Sequence, residues 1–335
     1  MGWDGFSIEA GVIVNEALIF GVWLTGEKAG QAVEGTLDLA KEEPKDLLWL
    51  HFDYSHPGLD DWLLEHTRLD RFVVDALVSE ETRPRVVKIG EGMLGVLRGV
   101  NQNPESDPED MVAIRFWVES RLIVSTRKRR LRVPHEVLML IQKGEGPTSS
   151  GGWVALLSSL LVERMQETID EVEIRVDELE EHMLEANVDN LREDLAKARR
   201  QAITLRRYLS PQREALTQMQ NDKFVIFSSE DRANLRENAE HLIRYLEDLD
   251  SVRDRAAVTQ EELGARMSEQ MNNRMYVLSI VTMIFLPLGF LTGLLGINVG
   301  GMPGVENQYA FTTVVLIILV SACVQIWYLK RNKWF

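Results

Sequence analysis

The stretches MYVLSIVTMIFLPLGFLTGLL (residues 275–295) and AFTTVVLIILVSACVQIWYL (residues 310–329) contain no Asp, Glu, Lys, Arg or His, and the turn GINVGGMPG (residues 296–304) lies between them. At about 1.5 Å of rise per residue, runs of this length each cross a hydrocarbon layer of roughly 30 Å. A helical hairpin spanning a membrane is therefore predicted. A pair of helices has no interior, so any water-filled path through such a membrane part requires several copies of the chain around an axis.

The flanks set the orientation. Arg274 precedes the first span, Lys330, Arg331 and Lys333 follow the second, and the loop between them holds no Lys or Arg. Positive flanks stay on the cytoplasmic side, which puts both termini inside and the short loop (296–309) outside. Trp327, Tyr328 and Trp334 suit the aromatic belt at the inner interface. The N-terminus lacks a basic segment followed by an apolar one, so no cleaved signal is expected and the first span itself would direct insertion.

From Arg274 onward there are four basic residues and one acid, Glu306, which leaves 33 basic against 51 acidic residues upstream. An acidic body of this kind disfavours nucleic acid and anionic lipid as main partners and favours cations, although acidity is also an ordinary solubility device. The lone Cys323, inside the second span, excludes a disulfide framework and a CxxC metal site.

Residues 1–150 alternate β-type runs (Gly11 to Leu24, Leu47 to Phe52, Arg85 to Ile89, Met93 to Val100, Val112 to Val118, Leu122 to Ser125) with helical ones near Leu59 to Thr67, Asp70 to Val78 and His135 to Lys143. This predicts an α/β cytoplasmic domain, with Gly144 to Gly152 as a linker to a helical part over 151–273. There the charges segregate. Glu163 to Glu185 holds ten acids and two Arg, while Arg192 to Arg213 holds seven basic residues and two acids. With a turn at Asn187 to Asn190, the two helices would pair antiparallel with opposite charges facing, or else present two solvated faces.

A third helix is expected to begin at Ser228 or Ser229, where a side-chain oxygen can cap free amides and Glu230 and Asp231 suit the positive helix end. Leu235, Leu242, Leu249, Ala256 and Leu263 recur at intervals of seven, the mark of a helix-packing seam. No Pro interrupts it before Pro287, so one helix can run from the soluble part into the first span.

At helical spacing the first span carries Ser279, Thr282, Leu286, Gly289, Gly293 and Gly296 on one face and Ile280, Ile284, Leu288, Leu291 and Leu295 on the other. The small, hydroxylic face suits a pore lining, because it leaves room for a hydrated ion. It equally suits close helix packing through Gly289-x-x-x-Gly293. Met275, Leu278 and Leu286 are bulky enough to close a path by dewetting, or to serve as core. Asn298, just past the span, would be either a helix cap or a ring of amide oxygens around a hydrated cation. His51, His56, His66, His135, His182 and His241 show no close metal spacing. His182 and His241, on acidic helices, are the candidates for an ion-sensing or storage site.

The run Phe285-Leu286-Pro287-Leu288-Gly289-Phe290, the turn Gly296-Ile297-Asn298, Met302-Pro303, the tail Lys330-Arg331-Asn332-Lys333-Trp334-Phe335 and the segment Arg206-Arg207-Tyr208-Leu209-Ser210-Pro211-Gln212-Arg213-Glu214 resemble the CorA superfamily of divalent-cation transporters. Ile297 replaces the Met of that family's magnesium signature, and Gly304 stands where magnesium transporters tend to have an acid. Both departures resemble the ZntB zinc-transporter branch.

The resemblance implies a homopentameric funnel in a bacterial inner membrane, with first spans lining the pore and second spans outside them. Gly296, Ile297 and Asn298 would form the entrance, Gly293, Gly289, Leu286, Thr282, Leu278, Met275 and Asn272 the path inward, and Glu261 a regulatory position on the stalk. No cofactor is expected beyond the transported ion. Zinc uptake coupled to protons is the implied activity, and a broad magnesium, cobalt or nickel channel driven by membrane potential is the alternative. A non-conducting membrane-tethered sensor or scaffold is a third. Zinc is held by His, Cys or carboxylate, and the implied pore positions offer none of these. The ion is therefore expected to pass partly hydrated, and cobalt, nickel and cadmium to pass with it. No phosphate loop, nucleophile motif or paired metal ligands support an enzyme.

Overall fold

A computed structural model describes residues 17–33, 39–41, 43–104, 106–184, 188–296 and 308–332. The chain divides into two compact units, one comprising the described residues up to Gln260 and the other those from Glu261 on.

The first unit is built on a six-stranded sheet. Its strands are β1 (Leu18–Trp23), β2 (Leu48–Asp53), β3 (Arg85–Ile89), β4 (Gly92–Gly99), β5 (Val112–Val118) and β6 (Leu122–Arg127), in the order β1-β2-β6-β5-β4-β3. Every neighbouring pair is antiparallel except β2 and β6, which run parallel. Between β2 and β3 lie helices α1 (Leu59–His66) and α2 (Arg71–Val78). After β6 come α3 (Val133–Gln142), α4 (Ser150–Glu181) and α5 (Val188–Met219).

Covering helices explain why β2 reads as an unbroken apolar run. Leu48, Leu50 and Phe52 join Trp62, Leu63, Val73, Val74 and Leu77 of α1 and α2 in one buried cluster. Trp49 points to the other face, where its ring lies 5.1 Å from that of Trp153 on α4, edge on. On that same face His51 is 1% exposed, and its Nδ1 lies 2.8 Å from the Ser125 hydroxyl, which also accepts the Trp49 indole N–H at 2.7 Å.

Strand β3 is shorter than β4, so Arg98, near the end of β4, has no β3 residue opposite it. The Gln212 side chain of α5 takes that place: Arg98 N–H donates to Gln212 Oε1 at 2.7 Å, and Gln212 Nε2 donates to Arg98 O at 3.1 Å.

The expected linker Gly144 to Gly152 is shorter than its composition suggests. Ser149 caps α4 by accepting the Gly152 amide at 3.0 Å, so Ser150-Gly151-Gly152 is the first turn of a 32-residue helix. Gly151 is there for close approach, since a Cβ would stand 2.2 Å from the Ile226 carbonyl oxygen. Helix α6 (Ser229–Leu295) starts as the sequence predicts. Ser228 Oγ accepts the Asp231 amide at 3.1 Å and Asp231 Oδ2 accepts the Ser228 amide at 2.9 Å, a reciprocal capping box. All five residues of its seven-residue repeat are at most 2% exposed.

The expected facing of acidic α4 against basic α5 is not how the ion pairs fall. Arg175 of the acidic segment pairs with Asp194 of the basic one, each the minority sign of its helix. Helix α4 also pairs with α6: Arg255 binds Asp177 and Glu180, and Thr259 Oγ1 donates to Glu180 at 3.2 Å. Arg206 of α5 likewise reaches Asp250 of α6 at 2.8 Å. The long third helix takes charges from both, so register is set among three helices.

Burial, reinforced by the Arg127 charge, pushes the His51 pKa from 6.5 down to about 3. The folded value lies below the unfolded one, so the unfolded state binds the proton first. The contribution of His51 is complete above pH 6.5 and is lost as pH falls towards 3. Going from pH 7.5 to 5 should cost about 2 kcal/mol through this residue. Unfolding of the wild type and of His51→Asn at both pH values checks this: the variant should show the smaller drop, and equal drops would contradict the assignment.

Candidate functional site in the first membrane span

In the second unit, the last part of α6 and helix α7 (Ala310–Arg331) are both long and apolar enough to cross a membrane. Almost all their residues are exposed within the single chain, and the partial burial falls on one stripe of each. On α6 the stripe is Ile280, Ile284, Leu288 and Leu291; on α7 it is Val314, Ile318, Ala322, Gln325 and Leu329. Ile280 and Leu329 are its buried members. The hairpin thus uses the bulky face of the first span, as large side chains with matching four-residue spacing do.

The small face is left open. A Cβ added at Gly289 or Gly293 would meet nothing within 4 Å, so the Gly-x-x-x-Gly contact is not made among the described residues. Thr282 and Ser279 donate their hydroxyls to Leu278 O and Met275 O, each at 2.8 Å, and Thr292 donates to Gly289 O at 3.0 Å. Side chains satisfied by their own helix carry no unpaired donor into lipid, yet their oxygens can still accept from water. Met275, Leu278 and Leu286 are more than half exposed on or beside this face, and Asn272 is exposed one turn before it. Gly296 closes the last helical turn, its amide bonding Thr292 O at 2.9 Å. Ile297 and Asn298 lie outside the described residues.

The other candidates are not brought together. His182 follows the C-terminal end of α4, its Nδ1 2.7 Å from Glu178 O. His241 lies on α6 with Nδ1 2.9 Å from Arg244 and Nε2 3.9 Å from Glu237. Glu261 is exposed on α6. Among the described residues no group of three or more His, Cys, Asp or Glu is arranged to hold a metal ion.

The profile of a family described as CorA-like Mg2+ transporter protein matches residues 44–331. The Zinc transport protein ZntB of Yersinia enterocolitica serotype O:8 / biotype 1B is 36% identical over 328 residues, 96% of this chain and 99% of that one. Among solved structures, the full-length CmaX protein superposes with a TM-score of 0.80 at 36% identity, covering 95% of this chain and 98% of its own. The CorA magnesium transporter of Methanocaldococcus jannaschii shares the fold, with a TM-score of 0.77 at 15% identity over 96% of this chain and 100% of its own.

If the small face touches water and no helix, Gly289→Ala and Gly293→Ala should leave the unfolding midpoint of the purified protein unchanged or slightly raised, since Ala favours a helix by roughly 0.5–1 kcal/mol over Gly. A fall of several degrees for both variants would instead reveal a close helix contact at these glycines.

Proposed function

The chain belongs to the CorA superfamily and to its ZntB branch, and on that premise we propose that it takes zinc into the cell through a pore on the axis of a homopentamer, driven by the proton gradient. The coarser activity, transport of a divalent metal, follows from the family. The observation that supports a pore on the first span is its face of Gly289, Gly293 and self-satisfied hydroxyls, whose glycines no described residue covers. Five such faces around an axis would supply oxygen acceptors to the water shell of an ion without replacing that shell.

The residues 275–295 and 310–329 carry no carboxylate, imidazole or ammonium, so a proton would travel along the same water as the metal. Asn298 would collect hydrated cations at the outer entrance, aided by the negative helix end beside it. Selection by shell rather than by ligand is weak selection, so cobalt, nickel and cadmium should also pass. The broad divalent channel driven by membrane potential is favoured by one observation, the lack of any thiol, imidazole or carboxylate on the first span. The orientation has both termini inside a bacterial inner membrane, from the Arg274 and Lys330-Arg331-Lys333 flanks.

Flux into liposomes tests the proposal. Zinc should enter faster than magnesium and accelerate when the outside is made acidic. Magnesium flux equal to that of zinc, indifferent to pH and following membrane potential, would replace this reading with the broad channel. Asn298→Ala should lower zinc flux severalfold with assembly intact, and unchanged flux would remove Asn298 from the mechanism.

A further inference from the structure

A cavity of about 300 Å³ lies in the first unit beside β4, β5, β6 and α5. Arg98, Arg115, Lys128 and Arg129 line it against only Glu80 and Asp110, a local excess of positive charge in a chain of net charge −15. Most of these cations have partners. Arg98 donates to Thr82 O at 2.9 Å and Met111 O at 2.7 Å and lies 3.8 Å over the Tyr208 ring. Lys128 pairs with Glu80 at 2.9 Å, and Arg129 Nη2 with Asp110 Oδ1 at 3.1 Å.

Arg115 is the least satisfied of them. It sits in the middle of β5, between Val96 and Thr126 of the neighbouring strands, and is 1% exposed. Its Nε and Nη2 have no hydrogen-bond partner among the described residues. The guanidinium lies 4.6 Å from the centre of the Tyr54 ring and hydrogen-bonds the Tyr54 side chain, which still leaves Nε and Nη2 without an acceptor. Buried donors on a charged group are expected to find an acceptor. The pairs made by Lys128 and Arg129 are half exposed, and exposed pairs hold weakly enough for either cation to turn towards a second anion.

We propose that this cavity binds a phosphate-type oxyanion, either free phosphate or a small phosphate monoester, with Arg115 as the buried anchor and Lys128 and Arg129 at the mouth. The planar guanidinium fork matches two oxygens of one phosphate, a geometry that a spherical halide cannot use. Arg98 sits beside the anchor while its backbone is held by Gln212 of α5, so an occupant would brace the sheet against that helix.

The test uses the full chain purified in detergent, free of zinc, titrated calorimetrically at constant ionic strength with inorganic phosphate, glycerol phosphate and chloride. Saturable phosphate binding at one site per protomer is expected. Arg115→Met should weaken it about tenfold or more, and Lys128→Gln, at a half-exposed position that the fold does not need, by severalfold. Tighter binding of glycerol phosphate than of inorganic phosphate would assign the site to esters, and the reverse to free phosphate. If Arg115→Met fails to fold, Lys128→Gln combined with Arg129→Gln decides. Phosphate heats no larger than those of chloride, or undiminished binding in the folded variants, would overturn the proposal. Zinc flux plays no part in this readout, so it stands or fails apart from the transport reading.

Discussion

Inside a hydrocarbon layer a helix satisfies its own backbone, but two helices packed together enclose nothing, and an ion needs polar surroundings all the way across. That constraint governs how this chain can work. Its hairpin closes on the bulky stripe that includes Ile280 and Leu329 and leaves Thr282, Gly289 and Gly293 facing outward. A stripe of small residues turned away from α7 gains nothing from the described residues of one protomer. It acquires a use when copies of the chain bring such stripes together.

The first unit serves this by holding the beginning of α6 firmly. Its capping box fixes where the helix starts, and the buried repeat from Leu235 to Leu263 fixes which face turns inward. Ion pairs from Asp177, Glu180 and Arg206 to residues of α6 then set its register against α4 and α5. Each exposed pair is worth only about 0.2–1 kcal/mol. Leucine burial, worth about 1.5–3 kcal/mol per side chain, carries the stability.

Much of this was legible from local pattern. The limits of β3 and β5, the start of α6 and its seam all follow from periodicity and capping chemistry, which act over a few residues. What depended on distant partners was not legible. Ser150-Gly151-Gly152 reads as a linker until Ile226 is seen to press on Gly151. Charge segregation between α4 and α5 suggested that they pair by charge, because nothing local shows that α6 competes for the same carboxylates. Gln212 replacing a strand partner of Arg98, and Arg115 buried with unmet donors, join residues about a hundred positions apart or arise only from the sheet order. On the first span the two faces were separable by spacing, but which one the hairpin uses needed the second helix. Ile297 and Asn298, read from the sequence as the entrance, fall outside the described residues.

Conduction along the first span depends on which of its sides meets water. Single cysteines placed at Thr282, Leu286 and Gly289, and separately at Ile280, Ile284 and Leu288, in a Cys323→Ser background reconstituted in liposomes, would be exposed to a membrane-impermeant thiol reagent. Reaction at the first three positions, slowed by added zinc, with the second three protected, is the predicted result. Equal protection of both faces, or reaction confined to the isoleucine face, would contradict it.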